Sequence, residues 1–283
     1  MRWLITGAAG QLGSHLTNVL GTAAVGVTRS ELDISAAGAV ADIVAALRPD
    51  VIVNAAAYTN VDAAETDEAG AYAVNATAVR HLADAAGRHG ARLLHVSTDY
   101  VFDGNADRPY EPDDPTAPRT AYGRTKLAGE QFALERGADV IRTAWVYGGP
   151  SANFVDTMLR LAAERDTLDV INDQTGSPTY VRDLAEALVE LGRTGVPTGL
   201  RHFANAGTAT WFDLAQAVFR GAGLDPERVH PTTSDRFVRP APRPRWSVLS
   251  TASWTADGLG APRDWRAALD AYLADRPSSV RTG

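Results

Sequence analysis

Tyr122 and Lys126 stand four residues apart in the run Tyr122-Gly123-Arg124-Thr125-Lys126. On a helix, positions i and i+4 share a face, so this phenol and this ammonium would point into one cleft. The positive charge favours the phenolate and lowers the phenol's pKa, which suits Tyr122 to donate a proton near neutral pH. Lys126 is also placed to hold a nicotinamide ribose. Upstream, Ser97-Thr98-Asp99 closes the apolar run Leu93-Leu94-His95-Val96. A hydroxyl at the C-terminal end of a parallel strand lies where open α/β sheets bind ligands, so Thr98 can hydrogen-bond a substrate carbonyl. Ketone reduction needs this set: hydride to carbon, a proton to oxygen, and polar groups around the oxygen as charge develops. Taken singly, each member has an ordinary explanation, a surface i,i+4 pair or a capping threonine. Their order behind a glycine turn favours the chemical reading.

That turn is Gly7-Ala8-Ala9-Gly10-Gln11-Leu12-Gly13. Its three glycines sit between the apolar run Trp3–Thr6 and a segment of helical spacing through Leu16, Val19 and Leu20. Glycines there allow a tight turn and close approach of backbone N–H groups to a pyrophosphate, which then faces the positive end of the helix. A plain βα turn is the simpler alternative. The end of the second strand should set cofactor choice. It reads Thr28-Arg29-Ser30, with no acid to accept ribose hydroxyls. Arg29 can pair with a 2′-phosphate. NADPH is therefore the expected cofactor, with NADH as the second candidate.

The elements that must position these residues follow from periodicity. Short apolar runs at 3–6, 24–28, 51–53, 93–96 and 140–141 read as buried strands. They alternate with helical segments at 14–20, about 40–47, 69–87 and the stretch carrying Tyr122 and Lys126. Such alternation means βαβ units and a parallel sheet. Later helices are expected at 153–164, 180–192, 211–222 and 263–274, with strand-like runs at 168–171 and 200–204. The fold class is α/β: a Rossmann-type doubly wound parallel sheet over about residues 1–142, with a smaller, interleaved α+β substrate lobe over 143–283.

Composition narrows the function classes. The chain has 283 residues, 45% apolar and 22% charged, which is enough for a sizeable core. A net charge of −7 gives no general reason to bind nucleic acid. There are no cysteines, so disulfides and thiolate chemistry are excluded. The apolar start is too short for a signal peptide, and no stretch approaches a membrane span, so a cytoplasmic protein is expected.

Two loops stand out. Arg236, Arg239, Arg243 and Arg245 lie within ten residues among Pro240, Pro242 and Pro244. Guanidinium forks suit phosphates, and Arg243 is taken as the phosphate contact. Residues 103–119 form a long Pro-, Asp- and Gly-rich loop whose acidic spacing fits no calcium loop, so a solvated or lid-forming loop is expected.

The chain resembles the extended short-chain dehydrogenase/reductases, and within them the dTDP-4-dehydrorhamnose reductases. The matching blocks include Arg48 to Asn54, Ala57-Tyr58-Thr59-Asn60-Val61-Asp62-Ala63-Ala64-Glu65 and Ser97 to Gly104. They continue through Tyr122 to Lys126, Arg142 to Gly148, Asn153-Phe154, Asp173-Gln174-Thr175-Gly176-Ser177-Pro178-Thr179 and Arg243-Pro244. The resemblance implies NAD(P)H-dependent reduction of the 4-keto group of a dTDP-linked 6-deoxyhexose, with Thr98, Tyr122 and Lys126 catalytic. It implies that the Gly7–Gly13 turn with Gln11 and Leu12 binds the cofactor. Asp33 and Ile34 would contact adenine, and Ala55, Ala56 and Ala57 would line the pyrophosphate and ribose. Thr59, Val61, Asp99, Tyr100 and Trp145 would surround the sugar, and Asn153 and Gln174 would hold the nucleotide end.

Some positions depart from the pattern. Certain members bind Mg²⁺ at a dimer contact through an acid two residues after the third glycine, which here is His15. The acid expected after Pro178-Thr179 aligns near Arg182. No metal site is expected, and the protein is read as a monomer or homodimer. Trp246 stands where a small polar residue is usual. Two rival readings share these motifs: a nucleotide-sugar epimerase or dehydratase that keeps its cofactor bound, and a non-catalytic regulatory subunit of the kind that serves methionine adenosyltransferase.

Overall fold

The structure is a computed structural model and describes residues 1–276. The chain opens with β1 (Trp3–Thr6), α1 (Gln11–Leu20), β2 (Ala24–Val27), α2 (Ala37–Leu47) and β3 (Val51–Asn54). Two short helices, α3 (Val61–Ala64) and α4 (Glu68–Tyr72), lead through a π-helical turn at Ala73–Thr77 into α5 (Ala78–His89). Next come β4 (Arg92–Thr98), α6 (Ala121–Leu134) and β5 (Asp139–Thr143). Shorter elements follow: β6 (Val146–Tyr147), α7 (Phe154–Glu164), β7 (Leu168–Ile171), β8 (Thr175–Gly176), β9 (Thr179–Tyr180) and α8 (Val181–Arg193). The described chain ends with β10 (Leu200–His202), β11 (Ala209–Thr210), α9 (Trp211–Gly221), β12 (Val229–Thr232), α10 (Ala252–Ala256) and α11 (Trp265–Asp275).

Six strands make one parallel sheet in the order β10-β5-β4-β3-β1-β2. Trp3 is the register partner of both Ala24 and Val51. The chain leaves β1 toward β2 on one side and returns to β3 on the other. This reversal opens a crevice at the C-terminal strand ends. Strand residues alternate between two cores. Trp3, Ile5, Val51 and Val53 pack with Leu12, Leu16, Leu184 and Leu188 of α1 and α8. Leu4, Ile52 and Leu93 pack with Val40, Val44, Val79 and Leu82 of α2 and α5. Cover on both faces is why these strands read as unbroken apolar runs.

The sixth strand comes from late in the sequence. Its place beside β5 is fixed by charge, because fully buried Asp139 accepts from Arg92 Nε at 2.7 Å and from Arg201 Nη1 at 2.9 Å. The strand-like run at 200–204 announced a strand, but not its membership of the main sheet.

Helix α6 is pressed against its neighbours. Thr120 caps it by accepting from Gly123 N–H, and Glu65 accepts from Ala121 N–H at 2.8 Å. A Cβ at Gly123 would lie 2.2 Å from the Tyr100 carbonyl, and one at Gly129 would lie 2.0 Å from that of Asn75. Two glycines inside a helix cost about 1 kcal/mol each relative to alanine, and here they permit the approach that carries Tyr122 and Lys126 to the crevice.

The 103–119 loop forms no helix or long strand, yet it is tied down. The Tyr110 hydroxyl accepts from the N–H groups of Gly104, Asn105 and Ala106 and donates to Asp103 at 2.6 Å. Its ring stacks on Phe102, centroids 4.1 Å apart. Arg142 reaches the Pro112 carbonyl at 3.1 Å, and the Trp246 indole donates to the Arg108 carbonyl at 2.8 Å. Trp246 thus braces this loop from the basic one.

Candidate active site

The glycine turn is built for close approach. Gly7 has φ +70°, and a Cβ there would sit 2.8 Å from the Ala56 backbone. A Cβ on Gly13 would lie 2.2 Å from the Gly7 carbonyl. Gly10 precedes α1 without a side-chain cap, and the first turn of α1 carries no acid. Free N–H groups at an uncapped, acid-free helix start fit a pyrophosphate. Gln11 lies in that first turn, its amide donating to the Ala152 carbonyl at 3.3 Å. Leu12 is buried in the core, so only its backbone can face a ligand. Ala55, Ala56 and Ala57 follow β3 and are partly buried beside Gly7.

Arg29 is exposed at the end of β2 and makes no ion pair among the described residues. Sequence alone counted no acid at this point. In the structure Glu31 folds back, and its Oε2 accepts from Thr28 N–H at 2.8 Å and from the Thr28 hydroxyl at 2.7 Å. Asp33 is exposed and holds Ser35 in a local turn, whereas Ile34 is buried with Val27 and Val40. The Ile34 side chain therefore serves the core.

Thr98, Tyr122 and Lys126 converge where β4 ends. Thr98 Oγ1 donates to Asp99 Oδ1 at 2.9 Å and accepts from Tyr100 N–H at 3.2 Å. Asp99 is buried, and burial pushes its carboxyl up to about 6 against the hydrogen bond from Thr98. Its Oδ2 and the Ser97 hydroxyl have no hydrogen-bond partner among the described residues. The Tyr122 ring keeps some exposed surface and meets the Tyr100 ring edge-on, centroids 5.5 Å apart. Burial nonetheless pushes its phenol up to about 12, with Thr98 opposing. The lowering expected from Lys126 is not found. Lys126 Nζ turns to the Val96 carbonyl at 2.7 Å, and its own burial brings it down to about 8, with Glu130 opposing.

The remaining expected residues surround this centre unevenly. Thr59 is exposed beyond β3, and Val61 opens α3, partly buried. Arg243 forks onto Asp62, with Nη1 and Nη2 each 2.9 Å from a carboxylate oxygen. That pair holds the Asp62 carboxyl below its usual range. With its guanidinium paired to a carboxylate, Arg243 would have to exchange partners to contact phosphate. In this state it anchors the basic loop beside Tyr100, lining a small recess with Arg119 and Arg245. Trp145 has φ +46°, and its ring stacks on Trp211 with centroids 3.6 Å apart. The ring edge abuts Gly176, where a Cβ would come within 2.4 Å. One face of the expected sugar wall is thus already covered. Asn153 caps α7 by accepting from Asp156 N–H, and Gln174 is buried in the turn before β8.

Comparison with known proteins decides the family. The model of the RmlD substrate binding domain matches residues 1–277. A dTDP-4-dehydrorhamnose reductase of Mycobacterium tuberculosis is 53% identical, covering 99% of this chain and 94% of the relative. The chain belongs to the dTDP-4-dehydrorhamnose reductase family. A dTDP-4-keto-6-deoxy-D-glucose reductase of Streptomyces niveus is 46% identical, with 95% of each chain covered. Among solved structures, the dTDP-4-dehydrorhamnose reductase of Bacillus anthracis in complex with NADP superposes with a TM-score of 0.93 at 36% identity, covering 97% of this chain and 99% of that one.

In this member of the family, several polar residues behind the centre escaped the sequence reading. Asn75, in the π-helical turn, pairs with both backbone groups of Tyr58 and donates to Thr125 Oγ1 at 3.1 Å. It ties the loop after β3 to the residue beside Lys126. Asn54 and His95 are buried in β3 and β4 beneath Lys126. Glu130 and Arg142 form a buried ion pair at 2.7 Å. The available signal was a polar residue interrupting an apolar run, as in Val51-Ile52-Val53-Asn54 and Leu93-Leu94-His95-Val96.

Proposed function

We propose that the protein reduces the C4 ketone of a dTDP-linked 4-keto-6-deoxyhexose, with dTDP-4-dehydro-β-L-rhamnose as substrate and dTDP-L-rhamnose or a close variant as product. The observation that carries this reading is the meeting of Thr98, Tyr122 and Lys126 at the strand ends beside an uncapped glycine turn. NADPH supplies the hydride when bound. The backbone of Gly7–Gly13 and the start of α1 hold its pyrophosphate, beside Ala55–Ala57, and Asp33 borders the adenine. Tyr122, protonated at working pH, delivers a proton to O4. Thr98 orients the carbonyl beside Asp99, and Lys126 binds the ribose and carries charge next to Tyr122. Thr59, Val61, Tyr100, Trp145, Asn153 and Gln174 enclose the sugar nucleotide, and Arg243 reaches phosphate by exchanging its pairing with Asp62. In this reading residues 1–142 carry the cofactor site, and the lobe over 143–283, interleaved with them, completes the substrate site. The enzyme works in the cytoplasm as a monomer or homodimer. No helix among the described residues is long and apolar enough to cross a membrane.

The test is NADPH consumption with dTDP-4-keto-6-deoxyglucose, with and without a 3,5-epimerase. Turnover that requires the epimerase is expected. Turnover without it would move the substrate to the unepimerised sugar, and none in either case would contradict the proposal.

Cofactor preference has its own test at Arg29. The unpaired guanidinium supports a contact to the 2′-phosphate, and charge-assisted bonds of about 1.5–3 kcal/mol correspond to roughly 10- to 150-fold. Arg29→Ala should lower kcat/KM for NADPH by about that factor and leave NADH within about twofold. Equal losses with both cofactors would remove Arg29 from 2′-phosphate recognition.

A further inference from the structure

Asn54, His95 and Lys126 form a buried line beneath the crevice. Asn54 and His95 are fully buried register partners on β3 and β4. Asn54 Oδ1 accepts from Ala56 N–H at 3.2 Å and from the Thr6 hydroxyl at 2.7 Å. A backbone N–H can only donate, so the amide oxygen must lie on that side. Nδ2 then faces His95 Nδ1 at 3.1 Å. An amide nitrogen also only donates, so Nδ1 must accept, and a neutral imidazole here carries its proton on Nε2. Burial, together with the Lys126 charge, holds His95 well below its ordinary range, so it stays neutral. Nε2 lies 3.4 Å from Lys126 Nζ. Against an ammonium this is donor facing donor. Against a neutral amine it is a hydrogen bond into the lone pair.

We propose that Asn54 and His95 act as a tautomer lock that biases Lys126 toward the neutral amine and so sets the pH at which the site loses its positive charge. His95 is a positioning residue for the reaction, and its effect on turnover rests on the reductase reading. The groups facing Lys126 leave this role to His95. On α6, Glu130 opposes the bias, but its carboxylate is committed to Arg142 Nε and Nη2 at 2.9 and 2.7 Å. On β5, Arg142 is neutralised by that pair. On β4, the Val96 carbonyl accepts from Nζ in either protonation state, and Asp99 acts on Tyr122 and Tyr100. Tyr122 itself is uncharged in the working range. From β3, Asn54 carries no charge.

Two measurements test the lock. In ¹⁵N-histidine-labelled wild-type protein, the His95 ring, assigned by its absence in His95→Gln, should show the Nε2–H pattern with Nδ1 unprotonated. An Nδ1–H pattern would overturn the lock whatever the substrate, so this arm stands apart from the reductase reading. In turnover, His95→Gln can present its amide oxygen to Lys126, and the alkaline limb of the pH–kcat profile should move up by about one unit. Asn54→Asp, which accepts from Nδ1–H and turns Nε2 into an acceptor, should move it the same way. A residue that merely packs would change kcat or melting temperature without moving the limb, and an unmoved limb in both variants would overturn the proposal.

Discussion

Tyr122→Phe lowers kcat for ketone reduction by about 100- to 10,000-fold while leaving NADPH affinity within a few-fold of wild type. That loss corresponds to roughly 3–5.5 kcal/mol of transition-state stabilisation. It falls on one oxygen atom because the ring is held independently of its hydroxyl. Tyr122 sits in the first turn of α6, which is capped by Thr120 and fixed by Glu65, and its ring is met edge-on by Tyr100. Phenylalanine keeps that contact and the helix. What it removes is a phenol whose surroundings push it up to about 12, so that it carries its proton throughout the working range. Without it, hydride transfer would leave an alkoxide facing a Thr98 hydroxyl already bonded to Asp99. Cofactor fluorescence titration gives the binding arm and steady-state turnover the other. A variant that keeps more than about a tenth of wild-type kcat would remove Tyr122 as the proton donor.

Arg142→Ala destabilises the fold by about 3–5 kcal/mol. Arg142 and Glu130 are almost completely buried, with side-chain exposures of 3% and 1%, so removing the guanidinium strands a carboxylate in the core. The same guanidinium lies over the Phe102 ring at 4.9 Å and holds the Pro112 carbonyl. It thereby links α6, β5 and the 103–119 loop. Its charge, added to burial, also brings His202 down to about 3. Chemical denaturation measures the effect, and the double variant Arg142→Met with Glu130→Leu should recover much of it, because no charge is then left unpaired. If the single and double variants were equally unstable, packing and not the ion pair would account for the loss.

The sheet was legible because strands covered on both faces must be apolar throughout. Trp3–Thr6 and Val51-Ile52-Val53 carry that pattern, and each is buried along its whole length. Local spacing also made the glycine turn and the Tyr122/Lys126 helix readable. Pairings between distant residues were not readable, since periodicity says which face a residue takes but not which charge it will meet. Arg243 and Asp62 are 181 positions apart, so a basic loop read alone suggested phosphate. The recruitment of β10 to β5 rests on Asp139 meeting Arg201, and the π-helical turn at Ala73–Thr77 leaves no mark in an alanine-rich helix. The effect of Lys126 on Tyr122 was misjudged for a related reason. Helical spacing put both on one face, but Nζ turned to the Val96 carbonyl, and burial then dominated both groups.

The central claim is that hydride passes from the nicotinamide to C4 and stays there. NADPH deuterated at its transferable position, incubated with dTDP-4-keto-6-deoxyglucose and a 3,5-epimerase, tests it by mass spectrometry and NMR of the product. One deuterium at C4, with one NADPH oxidised per sugar reduced, is the predicted result. A product without deuterium, formed with no net oxidation of cofactor, would contradict the account and assign the chain to enzymes that return the hydride they remove.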